Sequence, residues 1–305
     1  MKKTSETIVF FGSGPVAAES LRLLGQSFTV EAVVTKPRPP HHKGPVPVLD
    51  AAETLKLPVH TVTDKRTLKD LFATRPFQSK VAVLIDFGII VPQVIIDAFP
   101  LGIVNSHFSL LPEWRGADPI TFSVLSGQKT TGVSLMLLVP AMDEGPIIAQ
   151  GTYEITSETT TPSLTDDLVD LSYRLLEEVL PEYIAGNVPA LPQDTSKLPT
   201  YSRKLTKDDS IIDWEKPARQ IEREVRAFAG WPKSRCTIGS LELVVTASRI
   251  VKANGIPGKP FVHDKKPAIY CGSDALILDR LKPAGKKEMT GEAFLAGYAR
   301  IFLAG

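Results

Sequence analysis

The sequence is poor in cysteine, with two in 305 residues, Cys236 and Cys271. Neither belongs to a CxxC pair or a Cys/His cluster, which argues against a structural zinc site and against a disulfide framework. Two free thiols in a reducing compartment fit this usage, with one disulfide in the back region left open. Long hydrophobic runs are lacking as well. The most apolar stretch, Val81 to Val104, is broken by Asp86, Gln93 and Asp97. A bilayer span wants ~20 apolar residues, so no membrane partner is expected. The opening Met1-Lys2-Lys3 leads only into the short run Ile8 to Phe11, flanked by Glu6 and Glu19. That is not an export signal, and a cytoplasmic protein is expected. Internal repeats and low-complexity tracts are missing. So is an excess of one charge: 35 Lys+Arg against 34 Asp+Glu leave +1. With 43% hydrophobic and 23% charged residues, the chain is globular rather than disordered.

At ~150 residues per domain the length predicts two domains, and the charge shows where they divide. Residues 1–200 hold 16 Lys+Arg against 22 Asp+Glu, a net of −6, and residues 201–305 hold 19 against 12, a net of +7. Gly186 to Thr200, with Pro189, Pro192 and Pro199, is irregular. The expected division is 1–188 for a catalytic domain, 189–205 for a linker and 206–305 for a second domain.

In the front region, Thr7–Phe11 predicts a strand, Val16–Leu24 a helix behind Pro15, and Thr29–Thr35 a second strand. Strand, helix, strand is a parallel βαβ unit. Lys36 to Pro47 is a loop rich in proline and cations, with His41 and His42 on its surface. Helices at 49–56, 67–73 and 92–98 alternate with strands at 58–61, 81–85, 102–105 and 134–139. Leu164, Leu168, Leu171, Leu175 and Val179 recur at helical spacing. The back region has a helix at 218–228 and short strands at 234–238, 241–247, 268–271 and 276–281, which suggest a small barrel.

Gly12-Ser13-Gly14-Pro15-Val16-Ala17 matches G-x-G-x-x-A between a strand and a helix. The second strand ends Val34-Thr35-Lys36, without the acid that would bind a ribose. A tight βα turn that binds no NAD is the better reading. Asn105 and His107 follow an apolar strand, at the edge of a parallel sheet where ligands bind. Being two apart, they share one face. An amide and an imidazole aimed at one point can hold and protonate a carbonyl oxygen. Asp143, in Met142-Asp143-Glu144-Gly145, falls at another strand end. The three together suit proton-coupled acyl transfer, and no G-x-S-x-G or catalytic cysteine pattern competes.

The string Asn105-x-His107, Ser109-Leu110-Leu111-Pro112, Trp114-Arg115-Gly116 and Asp143-x-Gly145 resembles the folate-dependent formyltransferases. Thr131-Gly132-Val133-Ser134 lies between in the expected order. In the back region, Lys204-Leu205-Thr206-Lys207, Ile212-Asp213-Trp214, Arg226-Ala227-Phe228 with Trp231-Pro232, and Leu281 to Lys287 resemble those members that act on tRNA. The likeness runs from Ile8 to about Phe302. Four places depart from the family's pattern. Asp86-Phe87-Gly88 replaces an Ala-Tyr-Gly-like turn, and Ser106 replaces an aliphatic residue. Phe228 to Trp231 lacks the usual residues before Trp-Pro. The loop at 36–47 is shorter and less basic.

The resemblance implies an α/β fold: a Rossmann-like formyltransferase domain with a parallel-rich sheet, then a small OB-like barrel. It implies transfer of a formyl group from 10-formyltetrahydrofolate to the α-amine of methionyl initiator tRNA, by a monomer without metal. On it, Asn105 would hold the formyl oxygen, His107 would be the second donor or proton carrier, and Asp143 would fix the His107 tautomer. Ser109, Leu110, Leu111 and Pro112, with Phe87 and Gly88, would line the folate site. Arg38 and Lys43 would meet the acceptor end of the tRNA. Lys204, Lys207, Arg223, Arg226, Lys286 and Lys287 would meet its backbone, helped by Arg219, Lys233 and Arg235. An N-formyltransferase for an amino sugar nucleotide, a formyltetrahydrofolate hydrolase and a non-catalytic RNA-binding protein are the alternatives.

Overall fold

β1 (Thr7–Phe11) buries four of its five residues, as a run without alternation must when both sheet faces are covered. A computed structural model describes residues 6–74 and 77–304. Met1-Lys2-Lys3 therefore lies outside the described residues. After β1 the chain turns at 12–14 and enters α1 (Pro15–Ser27), with Pro15 at the first helical position, where its fixed φ and missing N–H cost nothing. β2 (Thr29–Thr35) returns parallel to β1. Next come α2 (Pro47–Thr54), β3 (Val59–Thr61), α3 (Lys65–Thr74), β4 (Val81–Leu84), α4 (Gln93–Ile96) and β5 (Ile103–His107). All pairs among β1 to β5 are parallel.

β6 (Arg115–Gly116) and α5 (Pro119–Ser126) precede β7 (Thr130–Leu137) and β8 (Ile147–Glu154). β7 runs antiparallel to both β5 and β8. The sheet order is β3-β2-β1-β4-β5-β7-β8. The chain winds outward from β1 to β3, then crosses back to lay β4 on the other side of β1. In open α/β sheets such a reversal leaves a crevice at the carboxyl ends of the two strands. Beneath the sheet edge Phe11 meets Phe87 and Phe99 edge-on, at centroid distances of 5.4 and 6.1 Å.

α6 (Thr161–Ile184) carries the leucine stripe. Beyond it, the stretch expected to be a linker packs down. Leu191 bridges to Ile147, and β9 (Tyr201–Ser202) pairs in parallel with β6. The chain divides into two compact units. The first holds the chain up to Pro119, Thr130–Glu154 and Thr165–Ser202. The second holds Ile120–Lys129, Ile155–Leu164 and the chain from Arg203 onward.

In the second unit α7 (Ala218–Ala227) precedes β10 (Ser234–Ile238), β11 (Leu241–Val251), β12 (Pro260–His263), β13 (Lys266–Tyr270), β14 (Ala275–Pro283), β15 (Met289–Thr290) and α8 (Gly291–Leu303). The strands form one antiparallel sheet in the order β10-β11-β14-β13-β12, with β15 on β14. Ile221 and Val225 of α7, Val245, Ile269 and Leu278 of the sheet, and Phe294 and Phe302 of α8 share its core. Thr290 caps α8, its side-chain oxygen accepting from the Ala293 N–H.

Cys236 and Cys271 are buried in this core and free, so the open disulfide is not formed. Burial pushes their thiols up to about 12 and about 11. The thiolate is the nucleophile, so neither cysteine should react with a disulfide reagent at pH 8 until the protein is unfolded. Stoichiometric labelling of the native protein within minutes would contradict this burial. No helix among the described residues is long and apolar enough to cross a membrane.

Candidate active site

β5 ends in the residues that matter. Its pairing with β4 sets Leu84 beside Asn105. Its antiparallel pairing with β7 sets Asn105 beside Met136 and His107 beside Ser134. The two-residue period of the strand puts Asn105 and His107 on one face and Ser106 on the other. Ser106 points toward α6, where its hydroxyl meets that of Ser172 at 2.7 Å. A hydroxyl stands there in place of an aliphatic side chain because it has this buried partner.

His107 is held through one ring nitrogen. Nε2 lies 2.9 Å from the carbonyl oxygen of Trp114. A carbonyl only accepts, so Nε2 carries a hydrogen and donates it. Nδ1 faces Oδ1 of Asp143 at 3.8 Å. Nδ1 is thus the nitrogen left to take or give a proton. The sequence reading assigned the tautomer to Asp143; the Trp114 carbonyl is what fixes it. This carbonyl is aimed by a left-handed residue, since Trp114 has φ +52°.

Asp143 is also left-handed, with φ +53°. Its Oδ2 accepts the Gly116 N–H at 2.7 Å, so its second oxygen is presented to the imidazole. Gly116 has φ +113°, and a Cβ there would lie 2.3 Å from the Ser202 carbonyl oxygen. Only glycine lets β6 and β9 close at this point. Gln193 braces the turn from the far side, donating to the backbone carbonyls of Asp143 and Gly145 at 2.7 and 3.0 Å. Its Oε1 accepts from Arg115 at 2.7 Å. Arg115 also pairs with Glu144 at 2.9 Å.

Asn105 is only 8% exposed. Among the described residues, no hydrogen bond occupies its side-chain amide. Its amide atoms are not sealed from solvent, so they can meet an incoming group. The Asn105 amide, His107 on the same face of β5 and Asp143 facing the imidazole can together hold a developing oxyanion and move one proton.

The loop from Ser109 to Pro112 is fixed from within. The Ser109 hydroxyl donates to the Glu113 carbonyl at 2.5 Å. The Ser134 hydroxyl donates to the Ser109 carbonyl at 2.6 Å and accepts the Leu111 N–H at 3.0 Å. Gln150 donates to the Leu111 carbonyl at 3.0 Å and to Ser134 at 2.8 Å. Ser109, Leu111 and Pro112 are buried and Leu110 half-buried. The Ser109 hydroxyl is spent inside the protein, so what this loop can offer a ligand is its shape. The Phe87 ring packs against Phe11 and its carbonyl accepts from the Ser13 hydroxyl, while Gly88 is exposed.

Among the expected cations, Arg38 donates to the Gly44 carbonyl and pairs with Asp50 at 3.5 Å, pinning its own loop. Arg226 is clamped by Glu222 at 2.6 and 3.0 Å and donates to the Thr159 carbonyl. Arg223 donates to the Ser126 carbonyl. Lys43, Lys204, Lys207, Lys286 and Lys287 are exposed. The sequence reading overlooked Gln193, Gln150 and Thr200, whose hydroxyl accepts the Trp114 N–H at 2.9 Å. Nothing in the local sequence marks them, because they act on backbone groups far away in the chain.

This is the architecture of a formyl transferase, and the chain belongs to that family: residues 7–180 match the formyl transferase domain and residues 204–299 the formyl transferase C-terminal domain. It is an enzyme that transfers a formyl group. Among its relatives, the methionyl-tRNA formyltransferase of Nitratidesulfovibrio vulgaris is 36% identical over 306 residues, covering 95% of this chain and 92% of that protein. The methionyl-tRNA formyltransferase of Listeria monocytogenes is 33% identical over 96% of each chain. Two solved structures share the fold. An N-formyltransferase from Helicobacter canadensis, in complex with folinic acid and dTDP-3-aminofucose, superposes with a TM-score of 0.67 at 18% identity, covering 90% of this chain and 99% of that one. HypX from Aquifex aeolicus with tetrahydrofolic acid gives a TM-score of 0.66 at 14% identity, covering 99% of this chain and 48% of that one.

Proposed function

We propose that the protein transfers the formyl group of 10-formyltetrahydrofolate to the α-amine of methionyl initiator tRNA. The observation that carries this reading is the partnerless Asn105 amide beside a histidine whose only free ring nitrogen faces a carboxylate. The folate supplies the formyl group. Asn105 holds the formyl oxygen and donates to the negative charge that develops there. His107, held through Nε2, carries the mobile proton at Nδ1. Asp143 stabilises the charged ring and keeps it oriented, while its other oxygen ties down Gly116. Methionyl-tRNA is favoured as acceptor over the amino sugar nucleotide by the curated relatives, at 33–36% identity over most of both chains. The net of +7 on residues 201–305 suits a polyanion. Lys43, Lys204, Lys207, Lys286 and Lys287, with Arg219, Lys233 and Arg235, are exposed and positioned to reach a phosphate. Arg38 and Arg226 are committed to their own loops and helices.

The test offers three acceptors with 10-formyltetrahydrofolate: methionyl initiator tRNA, a dTDP-amino sugar and water. Formylmethionyl-tRNA should form much faster than formyl sugar or free formate. Turnover with the sugar alone would overturn the choice of acceptor. The rate with tRNA should also fall steeply as salt rises from 50 to 200 mM, because neutralising several phosphates releases counterions.

A further inference from the structure

The reversal of strand order at β1 and β4 carries a second group of residues, outside the Asn105–His107–Asp143 cluster. The turn after β1 and the turn after β4 are stitched together. The Ser13 N–H donates to the Asp86 carbonyl at 3.0 Å, the Ser13 hydroxyl donates to the Phe87 carbonyl at 2.8 Å, and the Ile85 N–H donates to the Phe11 carbonyl at 2.9 Å. Asp86 stands on this seam in the left-handed region, with φ +46°. A non-glycine residue is strained in that conformation, and such residues cluster at functional sites. Its carboxyl lies over Gly14: a Cβ at position 14 would come within 1.8 Å of Oδ2. Glycine at 14 is what lets the carboxyl lie there. Lys36, at the end of β2, reaches over Gly88, where a built Cβ would meet Nζ at 2.7 Å. Asp86 and Lys36 sense each other's charge but stop short of the 4.0 Å of an ion pair.

A carboxylate and an ammonium thus face one another across a gap at the ligand-binding edge of the sheet. Register places this gap beside the chemistry. Leu84 pairs with Asn105, so Asp86 is two residues further on and one strand over. At ~4.8 Å between strands and ~3.3 Å per residue, its Cα lies roughly 8 Å from that of Asn105. The Asp86 carboxyl itself leans to the β1 side of β4, over Gly14.

The geometry points to Asp86 as the acceptor-side base: it receives the incoming amine as an ammonium at the β1/β4 crevice and takes the proton that the amine must lose before attack. The inference rests on the amine-formylating reading above and names the residue that prepares the nucleophile. The acceptor arrives as R–NH3+. One N–H bond breaks and its proton passes to the Asp86 carboxylate, giving the carboxylic acid and R–NH2. The nitrogen lone pair forms the new bond to the formyl carbon, whose oxygen Asn105 holds. The bond from that carbon to the donor nitrogen breaks, its electron pair stays with the donor nitrogen, and the second amine proton ends there. Asp86 then returns its proton to water.

The electrostatics suit this role. Asp86 reaches solvent as a residue, yet desolvation of its carboxyl pushes its pKa up, and Lys36 pulls it partly back. A carboxyl raised toward neutrality is a better base for an amine of pKa ~7.7–8.0 than an ordinary aspartate. Lys36 is the charged group whose field acts on Asp86, and the titratable group of the neighbouring β5 is His107.

The experiment compares kcat/KM of the wild type and Asp86→Asn across pH 6 to 9, on whichever amine the wild type formylates. Below the amine's pKa the variant should fall about 30-fold or more. Near pH 9, where the amine is already neutral, the ratio should shrink to under about threefold. Affinity for tetrahydrofolate should be unchanged, and Asp86→Glu should restore part of the low-pH rate. Lys36→Met keeps the carboxyl but removes the cation that lowers its pKa, so the acid limb of its profile should move to higher pH; this variant carries the test if Asp86→Asn does not fold. A ratio that stays constant with pH, or an unmoved acid limb in Lys36→Met, overturns the assignment. If the wild type formylates only the amino sugar, the tRNA reading falls while Asp86 is still tested on that amine. If it formylates no amine, both fall.

Discussion

Asn105→Ala should lower kcat by about 10²–10³, the usual cost of losing one preorganised oxyanion donor, or about 2.7–4 kcal/mol of transition-state stabilisation. The fold should survive. Among the described residues the Asn105 side chain makes no internal hydrogen bond, and the strand around it is held by backbone pairing to β4 and β7. Removing an amide that makes no internal hydrogen bond takes away little that the native state uses. The expected signature is therefore a collapse of kcat with a melting temperature near the wild type's and ordinary retention of tetrahydrofolate. A variant with more than a third of wild-type turnover would show that Asn105 does not touch the reacting oxygen.

Asp143→Ala is expected to be as severe, again about 10²–10³ in kcat, but for a compound reason. One carboxylate oxygen faces His107 Nδ1 and the other accepts the Gly116 N–H. Alanine removes the charge and leaves the amide without its partner. Asp143→Asn separates the two effects. Its side-chain oxygen can still accept from Gly116, while the charge facing the imidazole is gone. If the charge matters for catalysis, the asparagine variant should stay within about tenfold of the alanine variant. If it recovers to near wild type, Asp143 only shapes the turn. Thermal melting of both variants reports how much the lost Gly116 contact contributes to stability.

Much of this site could be read directly from the residues. Asn105 and His107 lie two apart after an apolar run, so strand geometry alone puts them on one face at the sheet edge. Asp143 before Gly145 marks a turn at another strand end. The parallel core was legible for the same reason: Val81 to Leu84 is apolar without alternation, as a strand buried on both faces must be. What escaped was set by long-range contacts. β8 reads Ile-Ile-Ala-Gln-Gly-Thr-Tyr-Glu, half polar, and becomes a strand because β7 lies beside it. α8 has Gly297 inside it and begins at a threonine cap, a weak signal beside its own apolar content. The tautomer of His107 could not be inferred at all, since it depends on a backbone carbonyl aimed by the left-handed Trp114. Gln193 falls in a stretch whose prolines suggest a connector. Yet it holds two carbonyls of the Asp143 turn.

The two compact units are not two lengths of chain. The second borrows Ile120–Lys129 and Ile155–Leu164 from sequence that precedes the crossover near residue 203. Arg223 donates to the Ser126 carbonyl and Arg226 to the Thr159 carbonyl, so α7 is anchored on both borrowed pieces. A gene cut near residue 203 would therefore sever α7 from its own supports, and a transplanted back half would arrive with two arginines aimed at carbonyls left behind. Any exchange of this unit between relatives has to carry three stretches of sequence, not one.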